Sequence, residues 1–226
     1  MKNNISISFF LLGILFCVCL IVSNILAFKL IQIGPFTATA GLLIFPISYV
    51  INDVITEVWG FRKAKLLIWC GFGINFLAII FFQLAIYIPP ASFWEHQDAF
   101  ATVLGSTPRI ALASLMAFLT GSFINAYIMS KMKIASKGKN FSLRAIVSTL
   151  FGEMADSFVF LTIFLLFVIP FQEILFMVMF QTVAKSAYEI MILPVTVRVV
   201  KKIKKLEKTD VYDDNIKYNI FSMKDV

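Results

Sequence analysis

Along the chain, long stretches of apolar positions alternate with short polar breaks, and the stretches are of nearly uniform length. A helix needs about 20 apolar residues to cross the hydrocarbon core of a bilayer, and six stretches reach that length. They are residues 5–28, 36–58, 66–88, 108–130, 145–169 and 174–197. Breaks that helices do not easily continue through separate them: Gly34-Pro35, Pro89-Pro90 and Pro170. The first stretch is too long for the apolar part of a secretory signal and ends in polar residues, so it reads as a span. Between the third and fourth lie about twenty residues with Trp94, Glu95, His96 and Asp98, a length that suggests a short interfacial helix or a lid. Residues 1–200 thus form one all-α membrane domain. Residues 201–226 are a polar tail of mixed charge, expected to be partly disordered. No internal repeat is visible.

Composition agrees and narrows the class. Of 226 residues 60% are hydrophobic and 15% charged, against roughly 45–50% and 25% in soluble domains. A soluble enzyme is unlike this. The net charge of +7 would suit nucleic acid, but the position of the basic residues argues otherwise. In a six-span arrangement seventeen of the 20 lie on one side, in the segments around Lys2, Arg62–Lys65, Lys131–Arg144 and the tail after Arg198. By the positive-inside rule that side, with both termini, is cytoplasmic, and no nucleic-acid partner is expected. Cys17, Cys19 and Cys70 lie in apolar stretches and read as packing residues. With His96 alone outside the spans, neither a histidine base nor a metal site is indicated, and no cofactor is expected.

Chemistry is concentrated in polar residues that lipid should exclude. An ionisable side chain within a span is costly and by default a functional candidate. Asp53, Glu57, Glu153, Asp156, Lys185 and Glu189 are of this kind. At 1.5 Å per residue from the basic flank of each helix, Asp53, Asn75, Asp156, Glu189 and Lys185 lie roughly 14–20 Å deep, one central layer from four helices. Glu57 and Glu153 fall nearer the cytoplasmic edge. The spacings Tyr49, Asp53, Glu57 and Gln181, Lys185, Glu189 put each set on one helix face, as does Thr149, Glu153, Asp156, Phe160. Lys185 and Glu189 could simply neutralise each other as an i, i+4 pair. A hydrated midplane pocket also explains why acids outnumber the one deep cation, and transporters commonly bind cargo there.

The segments Ser23-Asn24 with Ala27 and Lys29, Asp53-Val54-Ile55-Thr56-Glu57-Val58-Trp59-Gly60, Gly105-Ser106-Thr107-Pro108-Arg109-Ile110 with Ala113-Ser114, Ser148-Thr149 with Gly152-Glu153 and Asp156-Ser157, and Lys185 with Tyr188-Glu189 and Pro194 resemble the queuosine-precursor transporter family, also described as the vitamin uptake transporter family. The resemblance runs from the first span to the start of the tail. It implies a six-helix carrier of the bacterial inner membrane, related in fold to the substrate-capturing subunits of energy-coupling-factor importers. Its implied cargo is the 7-deazaguanines preQ0 and preQ1, salvaged for queuosine in tRNA.

Such a base presents adjacent N–H donors that one carboxylate accepts in a two-pronged pair, and a carbonyl that wants a donor. Asp156 is the first candidate for the carboxylate and Glu189 the second, with Lys185 or Asn75 as donor. Asp53 could meet the cationic aminomethyl group of preQ1, Trp94 or a Phe could stack on the ring, and Asn24 could form an outer part of the pocket or an interhelical bond. Glu57 forms a gate or pairs with Arg62, and Arg109 closes a lid with Glu95 or Asp98 or makes a plain surface pair; Ser23 and Ala27 suit close helix packing. Subunits that dock on a shared energy-coupling module carry an Ala-x-x-x-Ala patch in the first helix, where this chain has only Ala27. Such a partner is therefore not favoured over a carrier working alone, with or without proton coupling. A transporter of another planar metabolite and a non-transporting membrane scaffold are the competing readings.

Overall fold

The computed structural model describes residues 6–27, 29–33, 36–105, 108–168, 170–214 and 216–222; the side chains of 30, 33, 36–39 and 108–110 are outside that description. Six helices account for most of it: α1 (Ile7–Leu26), α2 (Phe45–Tyr87), α3 (Gln97–Leu104), α4 (Pro108–Ala135), α5 (Phe141–Leu165) and α6 (Phe171–Glu207). Among the described residues, four helical stretches are long and apolar enough to cross a membrane: Ile7–Leu26, Ala40–Tyr87, Ala111–Ala135 and Phe141–Leu165. The short helix expected between the third and fourth apolar stretches is α3.

Among the described residues the chain departs from all-α in one place. Residues expected to begin the second helix at Phe36 instead form a strand, β2 (Phe36–Thr39), antiparallel to β1 (Leu30–Ile33), with Ile33 opposite Phe36. A single turn of 3₁₀-helix, Ala40–Leu43, follows, and α2 starts only at Phe45 with Pro46 in its first turn, where a missing N–H costs nothing. Gly41 lies so close to α1 that a Cβ there would stand 2.9 Å from the Ser23 carbonyl oxygen and 3.6 Å from the Ala27 Cα. The Ser23/Ala27 small-residue pair thus packs against the entry to α2.

Between the second and third apolar stretches there is no loop. α2 runs through both and breaks at one residue, Gly60, with φ 82° and ψ 173°, a region in effect reserved for glycine. The break leaves backbone groups that the helix would otherwise pair, and buried polar groups need partners. They find them in the tail and in α4. Phe61 N–H donates to Asp213 Oδ2 (2.8 Å), and Val211 N–H donates to the Val58 carbonyl (3.1 Å). Lys133 donates to the Glu57 carbonyl, and Ser130 Oγ donates to Asp213. Asp213 also places negative charge at the start of the second arm of α2, where the helix dipole favours it.

The described residues of the tail, 201–214 and 216–222, pack against the bundle. Lys65 Nζ donates to the carbonyls of Asn219 (3.2 Å) and Ser222 (2.5 Å), Trp69 Nε1 donates to that of Ile220 (2.8 Å), and Tyr218 packs on Phe61 and Tyr127. Three apolar residues spaced two apart, Ile216, Tyr218 and Ile220, pack against the core cluster that includes Phe61 and Ile68, while Lys65 and Trp69 donate to the tail's main chain. Gly60→Ala should cost about 1–3 kcal/mol in backbone strain alone, and its Cβ would stand 2.7 Å from Asp213 Oδ1 and 2.9 Å from Val211 Cγ1. The expected outcome is a lower melting temperature and a tail released to limited proteolysis. An unchanged melt with the tail still protected would show that the break does not depend on glycine.

α4 and α5 pack through glycines. A Cβ on Gly121 would stand 2.8 Å from the Gly152 carbonyl, and one on Gly152 would stand 3.0 Å from that of Gly121. This approach brings Asn125, Asp156 and Tyr49 together in the interior.

Candidate functional site

A cavity of about 160 Å³ lies between α1, the start of α2, α4, α5 and α6. Its wall includes Asn24 from α1, Phe45 from α2, Ser114 from α4, Asp156 and Phe160 from α5, and Gln181 and Lys185 from α6. It sits in the half of the bundle that carries the β1–β2 hairpin, because the α1 residues lie at the C-terminal end of that helix and the α2 residues at the N-terminal end.

The charged centre of the cavity is Lys185. Its Nζ lies 2.8 Å from Asp156 Oδ2 and 2.9 Å from Glu153 Oε2, 3.5 Å from Ser157 Oγ, and 4.7 Å from the centre of the Phe45 ring. It does not pair with Glu189 on its own helix but crosses to α5. Two carboxylates and an aromatic face thus hold one ammonium group in the interior, in the way that intramembrane charges are usually compensated. Glu153, expected nearer the bundle edge, is drawn into this centre. Its carboxylate is 1% exposed, whereas Lys185 keeps 13% of its side chain accessible and so faces the cavity.

A second group of bonds fixes the outer wall. Asn24 Nδ2 donates to Asn75 Oδ1 (2.9 Å), and Ser114 Oγ donates to Asn24 Oδ1 (3.2 Å). Asn24 is thereby both an interhelical link and a wall residue, while Asn75 stands behind it as its support. Asp53 and Glu189 also lie behind the wall, on its deeper side, as described below. Trp94 is remote, packed edge-on against His96 and Phe100 in the connection leading to α3. Arg109, as a side chain, lies outside the described residues, so its pairing with Glu95 or Asp98 is not placed.

At the other end of the bundle Glu57 is closed in, though not by Arg62. Arg144 takes both of its oxygens, Nη1 to Oε2 at 2.5 Å and Nη2 to Oε1 at 3.1 Å, with each side chain 1% exposed. Lys204 Nζ reaches Glu57 Oε1 at 2.6 Å and Asp210 Oδ1 at 2.8 Å, and Lys133 reaches the same Asp210 oxygen at 2.6 Å. Burial pushes the Asp210 carboxyl up, but the hydrogen bonds and charges of Lys133 and Lys204 outweigh it and hold the group below its usual range. Arg62 follows the Gly60 break by two residues and turns away from Glu57, which explains the change of partner.

Of the residues singled out by sequence, Asn24, Asp156 and Lys185 line the cavity together. Of the aromatic faces, Phe160 was marked by its place on the Asp156 stripe, whereas Phe45 and Phe180 could not be picked from 25 phenylalanines. Gln181 was marked only by its place on the Lys185 stripe.

A bundle of long apolar helices around an ion-paired interior cavity has the organisation of a membrane transporter. The chain belongs to the family described as "Putative vitamin uptake transporter", which matches residues 39–199. A "Probable queuosine precursor transporter" of Bacillus subtilis (strain 168) is 28% identical over 149 residues, 66% of this chain and 65% of that protein. The "Queuosine precursor transporter" of Escherichia coli (strain K12) is 25% identical over 138 residues, covering 61% and 60%. A third, from Haemophilus influenzae, named "Probable queuosine precursor transporter", is 27% identical with 57% and 52% covered. The chain thus spans just under two thirds of the length of the first of these relatives and little more than half of the last. These are names of transporters, not of enzymes. No solved structure matches the chain.

Proposed function

We propose that the protein imports queuosine precursors, the 7-deazaguanines preQ0, preQ1 or both, across a bacterial inner membrane, and that the base binds in the cavity at Lys185. The observation that carries this reading is the Asp156–Lys185–Glu153 triad at a cavity flanked by aromatic rings, in a chain whose relatives are named for that cargo. A guanine edge needs a carboxylate for its N–H groups and a donor for its carbonyl. Asp156 and Lys185 supply them side by side, and Glu153 keeps the ammonium compensated when Asp156 turns to the base. The rings of Phe45, Phe160 and Phe180 offer faces for the planar heterocycle, and the Gln181 amide can serve either edge.

In this reading α2 crosses twice, since 43 residues would extend about 65 Å if straight and the helix breaks at Gly60. Together with α6 this makes six crossings. The seventeen basic residues on one side place both termini and the Glu57 seal in the cytoplasm, so the cavity belongs to the external half. The carrier works without an energy-coupling module, consistent with the lone Ala27 of α1. The family's description leaves a vitamin or other planar metabolite as the second reading.

The test is the queuosine content of tRNA in cells unable to make preQ0, at low external precursor, with and without this protein. Restored queuosine is expected, and uptake of labelled preQ1 should be competed by preQ0 more strongly than by unrelated vitamins. No rescue would overturn the reading. Rescue abolished equally well by a vitamin competitor would favour the second.

A further inference from the structure

Deeper than the Lys185 triad, one helical turn toward the Glu57 seal, lies a second polar group that takes no part in the cavity wall. Asp53 and Tyr49 come to it from α2, Asn125 from α4, Thr149 from α5 and Glu189 from α6. Asp53 is 1% and Asn125 0% exposed. Both oxygens of Asp53, both amide atoms of Asn125, the hydroxyls of Tyr49 and Thr149, and Glu189 Oε2 lack a well-formed hydrogen bond. The Asp53 and Glu189 carboxyl groups nonetheless stand within hydrogen-bonding reach of one another, with Asn125 beside Asp53 and Thr149 beside Glu189. Orphaned polar atoms at such depth call for an explanation.

Charge supplies it. Two ionised carboxylates are acceptors only and repel one another, whereas one proton between them turns one into a donor and satisfies both. The ionisable groups facing the pair are Tyr49 and Glu57 on α2, Glu153 and Asp156 on α5 and Lys185 on α6; α4 contributes only the neutral Asn125. Lys185 is taken by Asp156 and Glu153, and Glu57 by Arg144 and Lys204. No cation among the described residues is therefore left for Asp53 and Glu189. Four carboxylates against one ammonium group leave excess negative charge in a layer where each charge is costly.

We propose that Asp53 and Glu189 form a proton-binding site, a carboxyl–carboxylate pair holding one proton, and that this proton travels with the cargo. The proton enters from the water of the cavity, is held between the two groups while the Glu57 seal is closed, and leaves to the cytoplasmic water when the seal opens. Asn125 and Thr149 orient the two carboxyl groups. The binding site itself rests only on the geometry; its coupling to import rests on the function proposed above.

The two parts are tested separately. Infrared difference spectra of the full-length protein in lipid nanodiscs at neutral pH, without substrate, should show the carbonyl stretch of a protonated carboxylic acid that shifts in D₂O. The band should vanish in Asp53→Asn and in Glu189→Gln alike and persist in Asp156→Asn, with each variant's monodisperse elution confirming its fold. A band that survives both substitutions, its absence from the native protein, or marked thermal stabilisation by sodium over potassium would overturn the site. In proteoliposomes an inward proton gradient should raise the initial rate of labelled preQ1 uptake several-fold, and Asp53→Asn should erase that increase. Native uptake indifferent to the gradient would overturn the coupling. Failure of preQ0 and preQ1 alike to enter under any condition would overturn the proposed cargo while the infrared result still decides the proton site.

Discussion

Lys185→Met should abolish uptake and cost the protein about 3–5 kcal/mol, the range seen when one partner of a buried ion pair is removed. The ammonium group is the centre of four contacts, to Asp156 at 2.8 Å, Glu153 at 2.9 Å, Ser157 Oγ at 3.5 Å and the Phe45 ring at 4.7 Å. Methionine keeps the length and the contact with the ring but leaves two carboxylates facing each other in the interior of the bundle. Two effects are then superposed, and a second variant separates them. Adding Glu153→Gln and Asp156→Asn removes the stranded charges with nearly the same shapes, so the triple variant should recover most of the native melting temperature. It should remain inactive, because the base has lost both its carboxylate and its donor. Melting followed by size-exclusion chromatography and uptake of labelled preQ1 are the two readouts. A triple variant that transports would remove the triad from the binding site, and a single variant as stable as the native protein would mean that the acids find compensation elsewhere.

Most of the architecture is visible in the apolar stretches, because a 20-residue requirement for crossing lipid leaves few alternatives. The depth count also brings Asp156 and Lys185 to one level, since helical rise is regular. What escapes is set by single residues and by the tail. The stretch from Trp59 to Lys65 contains three basic residues after Gly60, so it reads as a loop, and nothing in the pattern shows that one glycine makes the turn inside a continuous helix. Glu57 then reads as a gate or as the partner of Arg62, its neighbour in sequence, and the ion pair it makes is with Arg144 from α5. Charge counting hides the same point from the other side. Arg144, Lys133 and Lys204 are counted as orientation signals, and their buried ion pairs have no sequence signature. Glu189 and Asp53 lie behind the cavity wall, because position along a helix does not determine which neighbour a side chain meets. The hairpin at 30–39 is hidden for a further reason: its residues are apolar enough to extend the adjoining helix.

Arg144→Ala is the second change expected to have a large effect, and it acts on the opposite end of the bundle. Arg144 is 1% exposed and makes four hydrogen bonds and one ring contact: two bonds to Glu57, one from Nε to the Lys139 carbonyl at 3.1 Å, one from Nη2 to the Gly138 carbonyl at 3.3 Å, and the Phe141 ring at 5.8 Å. Alanine leaves a cavity, two unsatisfied carbonyls and a Glu57 held by Lys204 alone, which is itself 23% exposed. A loss of about 3–5 kcal/mol is expected, a fall in melting temperature of roughly 10 °C or more for a chain of this size. Lysine should rescue little, since a single ammonium group cannot make the two-pronged contact that the guanidinium makes. The double variant Arg144→Leu with Glu57→Leu tests whether the cost comes from the stranded acid. If the buried charge is the cause, the double variant should be more stable than Arg144→Ala; if it melts lower still, the pair's attraction outweighs the cost of desolvating it. Transport gives an independent reading. The Glu57–Arg144–Lys204 cluster joins the first arm of α2 to α5 and α6, so a seal at this end should leak when the cluster is broken. The signature would be faster efflux of preloaded substrate in Arg144→Ala at a temperature where the variant remains folded, and an unchanged efflux rate would leave the cluster a structural brace only.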